Sequence, residues 1–127
     1  MPFIVIVEDD TFLAQMYASK LTLEGYRVSI APDGERGWQM IERERPDLVL
    51  LDILMPKMDG FAVLEKIRRS MSTQNIPVIL LTNMSQKKDV ERGLALGAND
   101  YLIKSHFIPT EVLGKIRKLL GEDEAGN

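Results

Sequence analysis

The most constraining feature of this chain is a run of four apolar residues, from Leu48 to Leu51, that Asp52 closes. The run is too short for a helix and holds no polar residue, so it predicts a β-strand buried on both faces. Open α/β sheets place their sites at the carboxyl ends of such strands. Asp52 is therefore predicted at an edge where a site could form, although on this run alone it could equally be an acid that only ends a strand.

Four other segments complete an alternation of strands and helices. The predicted strands are 3–7, 27–30, 48–51, 78–81 and 101–103. Five helical patterns lie between and after them, which predicts an α/β fold: a five-stranded parallel sheet with helices on both faces. The wholly apolar strands should be central, and right-handed crossovers then give the strand order 2-1-3-4-5 of a doubly wound, flavodoxin-like sheet. In the fourth helix, Ser85 could cap the start, and Val90 and Leu94 are predicted to face the core.

Length and composition favour one globular domain. The chain has 127 residues, 45% hydrophobic and 28% charged, which predicts a domain over 1–120 and a flexible acidic tail over 121–127. The net charge of −3 argues against a nucleic-acid surface. There is no cysteine for a disulfide or a thiolate metal site, and no apolar run reaches the roughly 18 residues of a membrane span. We therefore expect a soluble cytoplasmic protein.

Polar side chains directly follow four of the five predicted strands. These side chains are Glu8, Asp9, Asp52, Thr82 and Lys104. Each has an ordinary structural explanation alone, because acids often start solvated loops, threonine is common in strands and lysine is common at surfaces. Parallel strands end at one edge of their sheet, however, so the five side chains are predicted to gather there.

The residue types in this cluster suit a divalent cation and a phosphate group. Three crowded carboxylates repel one another unless they share protons or bind a cation. Mg²⁺ prefers oxygen ligands and commonly combines one or two carboxylates with a phosphate. Lys104 could bind a phosphate oxygen as a point charge, and Thr82 could donate to another. Asp52, alone on the central strand, could act as a nucleophile and form an aspartyl phosphate.

Two longer phrases extend the cluster. Residues 52–60 read DILMPKMDG, and residues 97–104 read GANDYLIK. Together with Glu8, Asp9 and Thr82 they resemble the receiver domain of two-component response regulators, and the resemblance runs from residue 3 to about residue 120. We expect a stand-alone, CheY-like receiver, with the receiver fragment of a longer regulator as the variant.

The resemblance implies a phosphorylation switch with Asp52 as the phosphoacceptor. Asp9 and Asp52 would ligate Mg²⁺ directly, the backbone carbonyl of Leu54 would be a third protein ligand, and Glu8 would act through a water. The donor would be a phosphohistidine on a sensor histidine kinase or a phosphotransfer protein. The chain would catalyse only its own phosphotransfer and autodephosphorylation, so it would not be an enzyme for other substrates.

The resemblance also implies roles for three further residues. Lys104 would pair with the phosphoryl group, Thr82 would hydrogen-bond it, and Tyr101 would turn inward behind Thr82. Phosphorylation replaces one charge by about two, which would bias the surface of the fourth helix, fifth strand and fifth helix toward binding a downstream protein. No direct contact with nucleic acid or a membrane is expected, and the chain would be a monomer or a phosphorylation-dependent homodimer.

Two departures from the family pattern affect the site. In most receivers a proline follows this lysine, often through a cis bond, but here Ser105 follows Lys104. A cis bond before a residue other than proline costs about 2.5–4 kcal/mol, so the geometry of that bond is open. Leu54 and Met84 are apolar at two positions that in the family help to steer the hydrolytic water, which predicts slow hydrolysis of the phosphorylated form.

Three other functions are compatible with the predicted fold. A phosphatase with an aspartyl nucleophile usually has a second acid two residues after the first, where Leu54 stands. A flavodoxin-like nucleotide binder needs a phosphate-binding loop after the first strand, where the acids at 8–10 would repel a phosphate. A receiver that has lost phosphorylation is disfavoured by the intact set of site residues.

Overall fold

The computed structural model of this chain describes residues 1–122 of the 127 in the sequence. Strands and helices alternate along it as the apolar pattern predicts. In chain order the elements are β1 (Phe3–Val7), α1 (Thr11–Leu23), β2 (Arg27–Ala31), α2 (Gly34–Glu44), β3 (Leu48–Leu51), α3 (Gly60–Arg69), β4 (Val78–Thr82), α4 (Lys87–Ala95), β5 (Asp100–Ile103), a 3₁₀ turn (Lys104–His106) and α5 (Pro109–Leu119).

The five strands form one parallel sheet in the order β2-β1-β3-β4-β5, which confirms the predicted fold class. Every residue of the three central strands is buried, whereas β2 and β5 are only partly buried. The register pairs Val7 with Leu51, so Glu8 and Asp52 leave the sheet side by side. Lys104 follows the last residue of β5 and therefore starts from the same edge.

The sheet buries an apolar cluster on each face because side chains alternate along every strand. On β1, Val5 and Val7 belong to the cluster under α2 and α3, while Ile4 and Ile6 belong to the cluster under α1 and α5. Each fully buried aliphatic side chain contributes about 1.5–3 kcal/mol of hydrophobic free energy. The central strands are therefore a stiff support for the polar groups at their carboxyl ends.

Three aspartates at this edge cap helices. Asp10, Asp33 and Asp59 each accept a hydrogen bond from the backbone N–H three residues later, at 3.1, 2.8 and 2.9 Å, and so begin α1, α2 and α3. Replacing such a cap by alanine typically costs about 0.5–2 kcal/mol. Helix α4 differs, and the prediction that Ser85 caps it is wrong: Gln86 holds the N-cap position and makes no side-chain hydrogen bond there.

The prediction for the buried side of α4 is wrong for Leu94, while Val90 is half-buried. Leu94 is 48% exposed, while Gly93 is the buried residue of this helix. A Cβ on Gly93 would lie 2.7 Å from Leu80 Cδ1 and 2.9 Å from Tyr101 Cδ2, because the helix backbone itself lies against the sheet. A periodic pattern of apolar side chains cannot reveal a contact that a glycine backbone makes.

Arg68, in the last turn of α3, fastens the far end of α4. Its guanidinium donates two hydrogen bonds to the carbonyl of Gly97, at 2.8 and 3.0 Å, just after α4 ends. It also donates to the carbonyls of Gln74 and Ile76 and to the side-chain oxygen of Asn99. One side chain thus joins α3, the loop before β4 and the turn before β5.

The two residues that follow Leu120 at the end of α5 are hydrogen-bonded to the domain. The N–H of Gly121 donates to the carbonyl of Lys118, and the Glu122 carboxylate accepts a hydrogen bond from the Tyr26 hydroxyl at 2.6 Å. These contacts involve the first two residues of the predicted tail, while the rest of it, 123–127, lies outside the described residues. Between residues 1 and 122, no helix combines the length and apolar character needed to cross a membrane.

Gly34 lies where the start of α2 touches the loop after β3. A Cβ on Gly34 would lie 1.8 Å from the carbonyl oxygen of Met58, so only glycine fits unless that loop moves. Gly114, on the exposed side of α5, has no atom within 4 Å of the position its Cβ would take. Packing therefore requires glycine at position 34 but not at position 114.

We predict that Gly34→Ala lowers the free energy of unfolding by about 1–3 kcal/mol, the usual cost of forcing atoms into a packed site. Gly114→Ala is the matched control, and it should raise that free energy by about 0.5–1 kcal/mol because alanine is the better helix former. Urea denaturation of both variants tests the pair. Equal stability of Gly34→Ala and the parent chain would contradict the close approach.

Candidate functional site

Three carboxylates meet at the carboxyl edge of the central strands. One oxygen each of Glu8, Asp9 and Asp52 lies within 4.8 Å of the others. Glu8 is 5% exposed and Asp52 is 6% exposed, whereas Asp9 lies at the surface. Carboxylates this close and this dry repel one another strongly. Their arrangement therefore needs positive charge nearby.

Lys104 supplies one such charge. Its Nζ lies 2.8 Å from Glu8 Oε1 and 2.9 Å from Asp52 Oδ2, and its side chain is 16% exposed. No cis peptide bond occurs between residues 1 and 122, so the bond from Lys104 to Ser105 is trans. The open question about that bond is thus answered, and the ammonium reaches the carboxylates without the proline of the family pattern.

The backbone orients both buried carboxylates. Asp52 Oδ1 accepts the N–H of Ile53 at 2.7 Å, and Glu8 Oε2 accepts the N–H of Asp10 at 3.1 Å. Each of these four carboxylate oxygens therefore has one donor, either an N–H or the Lys104 ammonium. Because a carboxylate oxygen can accept about two hydrogen bonds, each retains capacity for a further partner.

Burial and the neighbouring charges shift the pKa values of Glu8 and Lys104. Burial raises the pKa of Glu8 to about 7, with the hydrogen bond from Lys104 opposing the rise and the charge of Asp52 adding to it. Burial alone would lower the pKa of Lys104, but its hydrogen bonds to Glu8 and Asp52 outweigh burial and raise it. Lys104 therefore stays charged, and Glu8 takes up a proton more readily than an exposed glutamate does.

Thr82 and Tyr101 meet at a different point, the backbone of Met84. Thr82 is fully buried, and its Oγ1 accepts the N–H of Met84 at 3.3 Å. The Tyr101 hydroxyl donates to the carbonyl of Met84 at 2.7 Å, and burial followed by the charges of Asp89 and Asp52 raises the pKa of Tyr101 to about 12. Within residues 1–122, neither side chain hydrogen-bonds the acidic cluster.

Sequence reasoning missed Met84 as a meeting point because any residue type offers the same backbone groups. It also missed the strained turn that follows the site. Lys57 has φ +72°, the Met58 N–H donates to the carbonyl of Pro56 at 2.8 Å, and Lys57 Nζ lies 3.9 Å from Asp33 Oδ2. The Pro and Asp-Gly signals indicate a turn there but do not identify the residue that takes the left-handed conformation.

The donor set of the site fits a hard divalent cation. It offers carboxylate oxygens and no nitrogen or sulfur ligand, as Mg²⁺ prefers. Three carboxylates face a single ammonium, so an excess of negative charge remains for a cation to neutralise. Leu54, whose carbonyl is the expected third ligand, follows in the loop after β3 with its side chain 62% exposed.

Comparison with known proteins gives one family. Residues 4–117 match the response regulator receiver domain. "DNA-binding dual master transcriptional regulator RpaA" of Synechocystis is 40% identical over 120 residues, which are 94% of this chain and 49% of that protein. "Transcriptional regulatory protein AfsQ1" of Streptomyces coelicolor is 41% identical over 104 residues, 82% of this chain and 45% of that protein. The chain thus spans about half the length of these curated relatives.

Solved structures agree over nearly the whole chain. A CheY-like receiver domain protein from Methanospirillum hungatei has a TM-score of 0.89 at 32% identity and covers 100% of this chain and 99% of that one. The beryllofluoride-activated receiver domain of RstA from Klebsiella pneumoniae has a TM-score of 0.85 at 35% identity and covers 93% and 97%.

The raised pKa of Glu8 predicts a pH dependence of stability. In the metal-free chain, Glu8 holds a proton that the unfolded chain has already released between pH 4.5 and about 7. Its stabilising contribution is therefore complete below pH 4.5 and is lost as the pH rises toward 7. At about 1.4 kcal/mol per pKa unit, we expect a loss on the order of 3 kcal/mol over this range.

The test compares two variants by urea denaturation in chelator at a series of pH values. Glu8→Gln should flatten the fall in stability, because glutamine does not titrate. Asp10→Asn should retain the fall, since Asp10 caps α1 and asparagine caps as well. An equal slope in Glu8→Gln and the parent chain would contradict the assignment of the raised pKa to Glu8.

Proposed function

Because the chain belongs to the response regulator receiver family, we propose that it switches when Asp52 accepts a phosphoryl group from a phosphohistidine. The observation that carries the proposal is the Lys104 ammonium between Glu8 and Asp52, at 2.8 and 2.9 Å. This position of the ammonium supports a phosphoryl group on Asp52, since the same ammonium can pair with a phosphoryl oxygen. Receiver domains of this family interact with histidine kinases and with effectors.

In the proposed transfer, an Asp52 carboxylate oxygen attacks the phosphorus of the donor. A phosphorus–oxygen bond forms, the phosphorus–nitrogen bond breaks, and the released imidazole keeps or takes up a proton from water. The contacts of Asp52 with the Ile53 N–H and with Lys104 hold its carboxylate in a fixed orientation for that attack. Positioning and charge neutralisation carry most of the catalysis in phosphoryl transfer.

Receiver domains generally use Mg²⁺, and the acidic cluster fits that ion. We propose Asp9, Asp52 and the carbonyl of Leu54 as its protein ligands, with Glu8 acting through a water. When bound, the ion would neutralise carboxylate charge and the charge that develops on the transferring phosphoryl group. Thr82 and Lys104 are not among these ligands, so both remain available to the phosphoryl oxygens.

The switch would then pass from the phosphoryl group to the loop before α4. Phosphorylation replaces one negative charge on Asp52 by about two and adds strong acceptors. The Thr82 hydroxyl accepts from Met84 but donates to no residue between 1 and 122, so its proton is free for a phosphoryl oxygen. Because Tyr101 binds the carbonyl of Met84, a shift of Thr82 would move Tyr101 and the adjoining α4, β5 and α5 surface.

The partners and scope of the whole protein belong to the proposal as well. We propose that the altered surface binds a downstream protein or effector domain, without direct contact of this domain with nucleic acid, and that catalysis is confined to its own phosphotransfer and autodephosphorylation. The named relatives are transcriptional regulators about twice as long as this chain. The cytoplasmic location and the oligomeric state, monomer or phosphorylation-dependent dimer, stay predictions.

We predict that Asp52→Asn abolishes the response to Mg²⁺ and beryllofluoride, because the amide offers no carboxylate oxygen to bond beryllium and so cannot form the complex that mimics an acyl phosphate. Amide NMR spectra of the parent chain should shift at 82–86 and along α4, and those of Asp52→Asn should not. Asp10→Asn is the control, since it also removes one carboxylate charge from this edge but leaves the phosphoacceptor intact. A full shift in Asp52→Asn would remove Asp52 from its proposed role.

Slow hydrolysis of the phosphorylated form is a separate prediction. Leu54 and Met84 offer no polar side chain to orient the attacking water, so we expect a lifetime of minutes or longer. Leu54→Gln should shorten it by roughly threefold to tenfold, which is the rate equivalent of one hydrogen bond. Leu23→Gln, at a leucine that is 85% exposed near the opposite edge, is the control. A lifetime of seconds in the parent chain would refute the prediction.

A further inference from the structure

A small cavity lies beneath the acidic cluster, between the sheet and α1. The centre of a water molecule can lie anywhere within about 10 Å³ of this cavity, which is room for one water molecule. Glu8, Tyr17 and Asp52 supply its polar lining, and aliphatic side chains of β1, β3, β4 and α1 supply the rest. An internal water needs about two to four polar partners, and this cavity offers three polar side chains.

Tyr17 is the lining residue that the proposed phosphorylation mechanism does not use. It is 5% exposed, and its hydroxyl makes no hydrogen bond with any residue between 1 and 122. In the same part of the chain, no side-chain oxygen or nitrogen is both fully sealed and without a partner. The Tyr17 hydroxyl must therefore border space that a water can reach, and Tyr17 is one of the residues that line this cavity.

The charges around Tyr17 agree with this placement. Burial raises the pKa of its hydroxyl, while the charge of Lys104 opposes the rise and that of Glu8 adds to it. The hydroxyl thus keeps its proton and is a donor. Glu8 and Asp52 have only one donor on each carboxylate oxygen, so both can accept one more hydrogen bond.

We propose that this cavity is a binding site for a single ordered water that links Tyr17 to the acidic cluster. The water accepts a hydrogen bond from the Tyr17 hydroxyl and donates its own two to the carboxylates of Glu8 and Asp52. The Tyr17 hydroxyl and both protons of the water then each have a partner. Tyr17 becomes a positioning residue, because it fixes the two buried carboxylates from below while Lys104 and the backbone fix them from the side.

The water site goes beyond the proposed function, since it is a property of the chain without metal and without phosphate. Its consequence for the cluster rests on the proposed function: carboxylates held from below should bind Mg²⁺ more tightly than carboxylates free to turn. The two statements can therefore fail separately.

The test of the water site compares Tyr17→Phe with Tyr26→Phe in the full chain, in the presence of chelator. Tyr26→Phe is the reference for the loss of one hydrogen bond, because Tyr26 is also buried, 4% exposed, and its hydroxyl donates to Glu122 at the opposite edge. If a water bridges Tyr17, the loss of its hydroxyl should raise the unfolding equilibrium constant by about threefold to tenfold, the equivalent of one hydrogen bond. A crystal structure of the parent chain should show one water within hydrogen-bond distance of the Tyr17 hydroxyl, and that of Tyr17→Phe should lack it.

The opposite result is equally clear. A buried hydroxyl without a partner costs stability, so Tyr17→Phe would then be as stable as the parent chain or more so. That outcome, or a parent structure without the water, would overturn the site.

Calorimetric titration with Mg²⁺ tests the positioning role. Binding should weaken by about twofold to fivefold in Tyr17→Phe, a loss smaller than a full hydrogen bond, and stay unchanged in Tyr26→Phe. An unchanged affinity in Tyr17→Phe would overturn the positioning role. If the parent chain bound no Mg²⁺ at all, the proposed function would fail, and the stability and crystallographic results would still decide the water site.

Discussion

The structure of this site depends on one ammonium group between two nearly dry carboxylates. Glu8 and Asp52 emerge side by side from β1 and β3, and without Lys104 both would be buried beside a like charge. Removing one partner of a buried pair typically costs about 3–5 kcal/mol. A single lysine cannot balance three acids, however, so the edge keeps an unsatisfied negative charge. That imbalance makes the site receptive to a cation, and the position of the ammonium makes it receptive to an anion on Asp52.

Much of this arrangement could be predicted from sequence because it follows from strand ends. Apolar runs locate the strands, a parallel sheet brings their carboxyl ends together, and the residue after each run must then lie at that edge. The same reasoning places Asp9 in the cluster but gives no role to Asp10. Both are acids in one loop, yet Asp10 caps α1 while Asp9 joins the cluster, and the capping role follows from the helix geometry.

Two of the features that escaped prediction depend on the backbone. Met84 joins Thr82 to Tyr101 through its N–H and carbonyl, which every residue type but proline possesses. Gly93 packs through its missing side chain, so an apolar pattern points to Leu94 instead. The Tyr17 hydroxyl escaped prediction for a different reason, since a tyrosine at an inward helical position predicts packing and gives no sign of a polar cavity beside it.

The fastening of α4 by Arg68 has a mechanical consequence. The carbonyl end of this helix is clamped to α3 through Gly97, while its amino end begins at Gln86 without a side-chain cap. A helix that is anchored at its C-terminal end and uncapped at its N-terminal end should respond to a displacement by pivoting rather than by translating along its axis. A small displacement of the loop at Met84 would therefore move the first turn of α4 most and its last turn least. The helix would pivot near its C-terminal end, where the Arg68 guanidinium binds the carbonyl of Gly97.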